Sequence, residues 1–312
     1  MYRATDTALD RVVALKVLHP QLMVDESFIT RFKKEARLLA SLDHPNIITI
    51  FDLGEVEARI FLAMRYLPGG NLEQMLQKKG PLPWNRVIEI MQQVCDGLGS
   101  AHQQNLVHRD IKPANILFDA RGNAVISDFG LARAVQLSGT TSSMNSVGTP
   151  AYRAPELWRG KPPATPATDI YSLGCVLTEM LTGVTLFTGE TPDEILTMHL
   201  IDGPKLPQTW PAGVPSGVSA VISKSLSRDP IKRHQGATEF LIELSELNRP
   251  KPTPIPHAKS EKESASSRTN EMSIQIFPGV RMEFVKVPAG EFIMGSDPAS
   301  YDFKAKDSAA VE

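Results

Sequence analysis

HRDIKPANIL, residues 108–117, places a carboxylate (Asp110), an ammonium (Lys112) and an amide (Asn115) within six positions, then runs into the apolar pair Ile116–Leu117. Solvent-facing loops carry such side chains freely, so the stretch has no meaning by itself. What decides it is whether further charged residues lie upstream and downstream on elements able to bring them to the same place.

The surrounding chain has 312 residues, 42% of them hydrophobic and 22% charged, which is ordinary for a globular protein. That length suits one large domain or two smaller ones. Lys and Arg number 33 against 35 Asp and Glu, a net charge of −2, so bulk charge does not point to nucleic acid or an anionic membrane surface. Cys95 and Cys175 stand eighty positions apart, with neither a metal-ligand spacing nor a disulfide framework, which fits a reducing compartment. The N-terminal MYRATDTALDRVVALK carries charges throughout and lacks the apolar core of a signal peptide. Apolar runs are only a few residues long, too short to span a bilayer.

Periodicity organises the chain up to about residue 247. RVVALKVL (11–18) reads as a buried strand. DESFITRFKKEARLLASL (25–42) reads as a helix whose Phe28, Phe32, Ala36 and Leu39 follow the helical repeat. Two or three strands are expected over 47–67, helices over 71–79 and 84–104, and a short strand opening AVISDFG at 124. DIYSLGCVLTEMLTG, PDEILTMHLI and GVSAVISKSL read as further helices. Strands and one helix first, then mostly helices, predict an α+β domain of two lobes. Residues 248–271 then change character: four prolines, many Ser and Lys and almost no large apolar residue predict an extended, solvated linker. From 272 to 312 the chain opens β-rich.

Upstream of the opening stretch, Lys16 sits on the predicted strand and Glu35 on the next helix, a pair able to hold an ammonium at a phosphate. Downstream, Asp128 opens DFG just after a strand; a carboxylate there, with a glycine to turn the chain, suits Mg2+. VALK, a helical Glu, HRDIKPAN, DFG and GTPAYRAPE (148–156) fall in the order that resembles a protein kinase. The resemblance covers residues 1–247 and is closest to bacterial serine/threonine kinases of the eukaryotic type.

That resemblance implies a bilobal fold, ATP and Mg2+ as cofactors, and protein Ser/Thr hydroxyls as acceptors, with a dimer possible for autophosphorylation and a cytoplasmic location. By it, Asp110 is the base, Lys112 neutralises the transferring phosphate, and Asn115 and Asp128 hold Mg2+. Lys16 grips the α- and β-phosphates, tethered by Glu35. Ala14 and Leu117 cover the adenine from either side, Met64 gates the back of its pocket, and the hinge of Arg65, Tyr66 and Leu67 meets its edge. Leu39, His108 and Phe129 stack between the lobes, Glu156 pairs with Arg233, and Asp169 binds the backbone of the catalytic loop. The seven hydroxyl residues of LSGTTSSMNSVGT (137–149) make that loop the expected site of autophosphorylation, chiefly at Thr140, Thr141, Ser142, Ser143 and Ser146.

Two departures are expected to matter. The family's glycine-rich loop would come immediately before Tyr2, so it and the first strand of the N-terminal lobe are expected to be missing, with a start upstream or a shortened kinase as the two explanations. The Gly69–Gly70 pair lies after the hinge, on the wrong side to replace it. The alternative this leaves open is a pseudokinase or scaffold module with impaired ATP handling. VRMEFVKVPAGEFIMGSDP (280–298) resembles the opening of a formylglycine-generating enzyme (sulfatase-modifying factor) domain, far shorter than that domain and without its reactive cysteines or metal ligands.

Overall fold

A computed structural model describes residues 1–18, 26–56, 59–129, 150–248, 272–277 and 280–284. The expected phosphorylation loop, nearly all of the linker and the tail after 284 lie outside the described residues. The chain divides into two units, Met1–Lys251 and Pro252–Glu312.

The first unit begins with strands β1 (Tyr2–Asp6) and β2 (Arg11–Val17), helix α1 (Glu26–Ala40), and strands β3 (Ile50–Val56) and β4 (Arg59–Arg65). The four strands make one antiparallel sheet in the order β1-β2-β4-β3. Strand β1 was not foreseen: YRATD has no apolar alternation, and all but two of its residues are exposed. What makes it a strand is its pairing along β2, from Tyr2 opposite Leu15 to Asp6 opposite Arg11. On β2, Ala14 and Lys16 are two apart and so share a face. Ala14 lies opposite Met64, and Lys16 opposite Leu62. The apolar stripe of α1 is buried as its spacing requires, with Phe28, Phe32, Ala36 and Leu39 each 3% exposed or less. Phe28 and Phe32 form a small cluster with Leu18 and Ile60.

The second lobe holds α2 (Leu72–Lys79), α3 (Trp84–Gln103), the hairpin β5 (Ile116–Phe118) and β6 (Ala124–Ile126), then α4 (Pro155–Arg159), α5 (Pro166–Thr182), α6 (Pro192–Thr197), α7 (Val218–Ser225) and α8 (Ala237–Glu246). Helix α5 is buried on every side from Ala167 to Leu181, as expected of a helix apolar all round, and forms the axis of this lobe. The helix expected to continue through 201 changes at Met198 into a π-helical turn, Met198–Asp202. Helix α8, not among the helices expected from periodicity, packs on α3.

Among the described residues, hydrogen bonds join the lobes beside β6 and after the hinge. Beside β6, Asn46 donates its side-chain amide to the Ala124 carbonyl (2.8 Å), and its own carbonyl accepts the Ile126 N–H (2.8 Å). After the hinge, the Gly69 N–H donates to the Phe118 carbonyl and the Phe118 N–H to the Gly70 carbonyl. A Cβ on Gly69 would lie 2.6 Å from the Phe118 oxygen, and Gly70 has φ +72°. The glycine pair therefore lets the hinge strand lie against β5.

In the second unit the described residues form one antiparallel hairpin, β7 (Met272–Phe277) with β8 (Val280–Phe284).

Candidate active site

The loop 108–115 between α3 and β5 is held from below by one buried carboxylate. Asp169, at the first turn of α5, accepts the His108 N–H (2.9 Å), the Arg109 N–H (2.7 Å) and a contact from His102 Nε2 (2.8 Å). Burial works to raise the Asp169 carboxyl, but the His102 ring and the backbone donors outweigh it and hold it below the usual carboxylate range. The clamp fixes a strained shape: Arg109 has φ +67°, a left-handed conformation that costs a residue with a Cβ of order 1–3 kcal/mol.

His108 is fully buried and works as a spacer. Its Nδ1 accepts the Asp110 N–H at 3.2 Å, so the ring proton sits on Nε2 and donates to the Ser127 carbonyl at 2.8 Å. Burial lowers the basicity of the ring and keeps it neutral, although Asp169 opposes this. The ring stands 4.5 Å from that of Phe129, and Leu39 of α1 belongs to the same apolar core.

At the top of the loop the three polar residues of the opening stretch converge. Lys112 Nζ is 2.9 Å from Asp110 Oδ2, and the Asn115 amide donates to the same oxygen at 3.0 Å and to the Asp110 carbonyl at 2.7 Å. Ile111 and Ile116 on either side are buried, so the trio rides on a rigid base.

Across from it, Lys16 Nζ lies 2.6 Å from Asp128 Oδ1, with both side chains about three-quarters buried. Asp128 has φ +64°, a left-handed turn just past β6. The expected tether of Lys16 by Glu35 is not the pairing found: Glu35 Oε1 faces the Arg109 guanidinium at 3.9 Å. Arg109 and Asp128, both in the left-handed region, thus meet Glu35 and Lys16 respectively.

Beside this group is a cleft of about 280 Å³ lined by Ala14, Met64, Arg65, Tyr66, Leu67 and Leu117, with Tyr2 and Arg3 of β1 and Gly70, Asn71 and Gln74 after the hinge. All six residues expected around an adenine are there. The part played by β1, where the Arg3 guanidinium lies 5.5 Å from the Tyr66 ring centroid, had no signal in the sequence. Deeper in the second lobe Arg233 and Glu156 form the expected pair, with two 2.8 Å bonds.

The site fits a nucleotide and a hard divalent cation. Met64 is buried at the back of the cleft and Ala14 and Leu117 are half-buried on its walls, which suits a flat base. Asn115 and Asp128 offer oxygen donors of the kind Mg2+ takes, and Mg2+ keeps waters and phosphate oxygens as its remaining ligands.

Residues 1–243 match the protein kinase domain. The chain is 36% identical over 272 residues to serine/threonine-protein kinase PknB of Mycobacterium tuberculosis, covering 85% of this chain and 43% of that one. It is 40% identical over 244 residues to serine/threonine-protein kinase PrkC of Bacillus subtilis, covering 78% and 38%. A third relative, PknB of Mycobacterium leprae, is 36% identical over 261 residues, covering 82% and 42%. The chain thus spans about two fifths of the length of these relatives.

Proposed function

This chain belongs to the protein kinase family, and from that premise we propose that it transfers the γ-phosphate of ATP to serine and threonine hydroxyls of proteins. The observation that carries the reading is the convergence of Lys112 and Asn115 on one oxygen of Asp110, beside the cleft lined by Ala14, Met64 and Leu117. Phosphoryl transfer asks little covalent chemistry of a protein; it asks for position and for charge where the transferring group becomes negative.

Asp110 orients the acceptor hydroxyl and takes its proton as the oxygen attacks the γ-phosphorus. The bond to the β-phosphate oxygen breaks, and ADP leaves with the electron pair. Lys112, already beside Asp110, is near enough to neutralise the γ-phosphate oxygens as the reaction proceeds. Lys16 binds the α- and β-phosphates, giving up its direct contact with Asp128. Asn115 and Asp128 would hold Mg2+, which supplies charge neutralisation on the phosphate oxygens. Ala14, Met64 and Leu117 enclose the adenine, and the backbone of Arg65 and Leu67 meets its polar edge.

Among the described residues no helix is long and apolar enough to cross a membrane. The same reading puts the kinase in the cytoplasm, where ATP is plentiful and the free, buried Cys95 and Cys175 stay reduced. It also includes transient pairing of two copies for phosphorylation of one by the other. The resemblance of 280–298 supports a formylglycine-generating enzyme-type domain beginning at residue 272, and the β7–β8 hairpin agrees with a β-rich opening there.

The test is Asp110→Asn, which keeps the size of the side chain and removes its basicity. Phosphate incorporation from labelled ATP into a serine peptide should fall at least a hundredfold while the thermal unfolding midpoint stays within a few degrees. Unchanged incorporation would remove Asp110 from the chemistry.

A further inference from the structure

In the second lobe, sharing no residue with the adenine cleft, the loop after α4 and the loop before α8 line a second cleft of about 500 Å³. Its lining is unlike that of the first. Arg159, Lys161 and Arg228 all face it, together with Thr165, Asp229 and Gln235. Glu156 also touches it, but its charge is already matched by two bonds from Arg233. Asp229 caps the turn after it by accepting the Ile231 N–H at 3.1 Å. Three cations therefore meet one carboxylate that lacks a cation of its own. Arg228 is steadied by donating to the Leu200 carbonyl (3.2 Å), while Arg159 and Lys161 have no ion-pair partner among the described residues.

The rest of the wall is apolar. Pro162, Pro230 and Ile231 line it, and Ile231 is 83% exposed, the highest value among the exposed large hydrophobic side chains of the described residues. Bare surface cations need no such wall, and a free phosphate ion would fill only a fraction of the space. A short peptide bearing one phosphate uses both parts. The guanidinium forks and the ammonium take the phosphate oxygens by charge-assisted bonds, and the neighbouring side chains cover Ile231 and the prolines. A net charge of −2 gives the chain no bulk attraction for nucleic acid.

We propose that this cleft docks a phosphoserine- or phosphothreonine-bearing segment of a protein, holding an already phosphorylated substrate while the active site acts elsewhere on it. The docking rests on the kinase reading for its biological sense, since that reaction makes such segments, but its binding step is independent of catalysis.

Fluorescence anisotropy on the full chain, without ATP, tests it. The probe is a labelled ten-residue peptide with a central phosphoserine flanked by leucines, against its unphosphorylated twin. The phosphopeptide should bind at least tenfold tighter, and the preference should shrink as salt rises. Arg159→Ala and Lys161→Ala together should abolish the preference, and Ile231→Ser should weaken the phosphopeptide severalfold. Phosphate transfer to an unphosphorylated serine peptide should be unchanged in all of these. Should the double variant lose its fold, Arg159→Gln alone, read by the same preference, replaces it. Equal binding of the two peptides, an unaffected double variant, or displacement by inorganic phosphate or a short RNA at the concentration that works for the peptide would each overturn the docking site. A chain that binds the phosphopeptide but transfers no phosphate would overturn only the kinase reading.

Discussion

Replacing Arg233 by Met should destabilise the first unit by about 3–5 kcal/mol, the cost of stranding one partner of a buried ion pair. Both side chains are essentially sealed, at 0% and 1% exposure. Besides its two bonds to Glu156, Arg233 donates to the carbonyls of Ala167 (2.9 Å), Ser227 (2.6 Å) and Arg228 (3.3 Å), and stands 4.8 Å from the Tyr171 ring centroid. Met fills much of the same space, so cavity formation contributes little. What remains is a buried carboxylate supported only by the Thr168 hydroxyl at 2.8 Å, with the carbonyls left to find other donors. A domain of this size has about 5–15 kcal/mol in total, so the loss is a large fraction. At about 2–4 °C per kcal/mol, the thermal midpoint should drop by roughly 6–20 °C. Urea denaturation followed by tryptophan fluorescence gives the free energy directly. Adding Glu156→Gln to Arg233→Met removes the stranded charge and should restore about half of the loss. A drop under about 1 kcal/mol, or no recovery in the double variant, would refute the view that charge burial dominates here.

Three further outcomes follow from the same geometry. Lys16→Met should cut turnover about a hundredfold with a smaller change in the KM for ATP, since alignment of the phosphates is what the ammonium supplies; a pure KM effect in steady-state assays would contradict that. Burial pushes the His199 ring down to about 4, from an ordinary 6.5, so between those values the unfolded chain takes up a proton that the folded chain refuses. Stability is then lost as pH falls from 6.5 towards 4, by on the order of 3 kcal/mol from this group. His199→Asn, whose side-chain oxygen can still accept from Tyr171, should flatten that slope in pH-dependent unfolding. Gly97→Ala should lower the thermal midpoint even though Ala favours the helix by up to about 1 kcal/mol. The new Cβ would sit 2.9 Å from the Asn46 carbonyl, which its bond to the Ile126 N–H holds in place, and overpacking costs about 1–3 kcal/mol. A raised midpoint would mean that the lobe junction yields more readily than its hydrogen bonds imply.

Much of this protein was legible in its order of residues. The stripe of α1, the strand of Lys16, the polar trio of 110–115 and the core helix α5 are carried by neighbours a few positions apart, where backbone periodicity alone dictates which side chains share a face. The clamp of Asp169 and the Glu156–Arg233 pair came from motif resemblance, and the structure holds both as expected. Tertiary structure decided the rest. Whether Lys16 meets Glu35 or Asp128 depends on how α1 sits over the sheet and on two left-handed residues, Arg109 and Asp128, and no local pattern encodes either. Strand β1 exists because β2 offers it an edge, not because YRATD favours extension. The second cationic cleft joins residues 159–165 to 228–235, which are brought together only when α5 and α7 pack. A contact between distant segments is set by the sum of many packed faces, and that sum exists only in the folded chain.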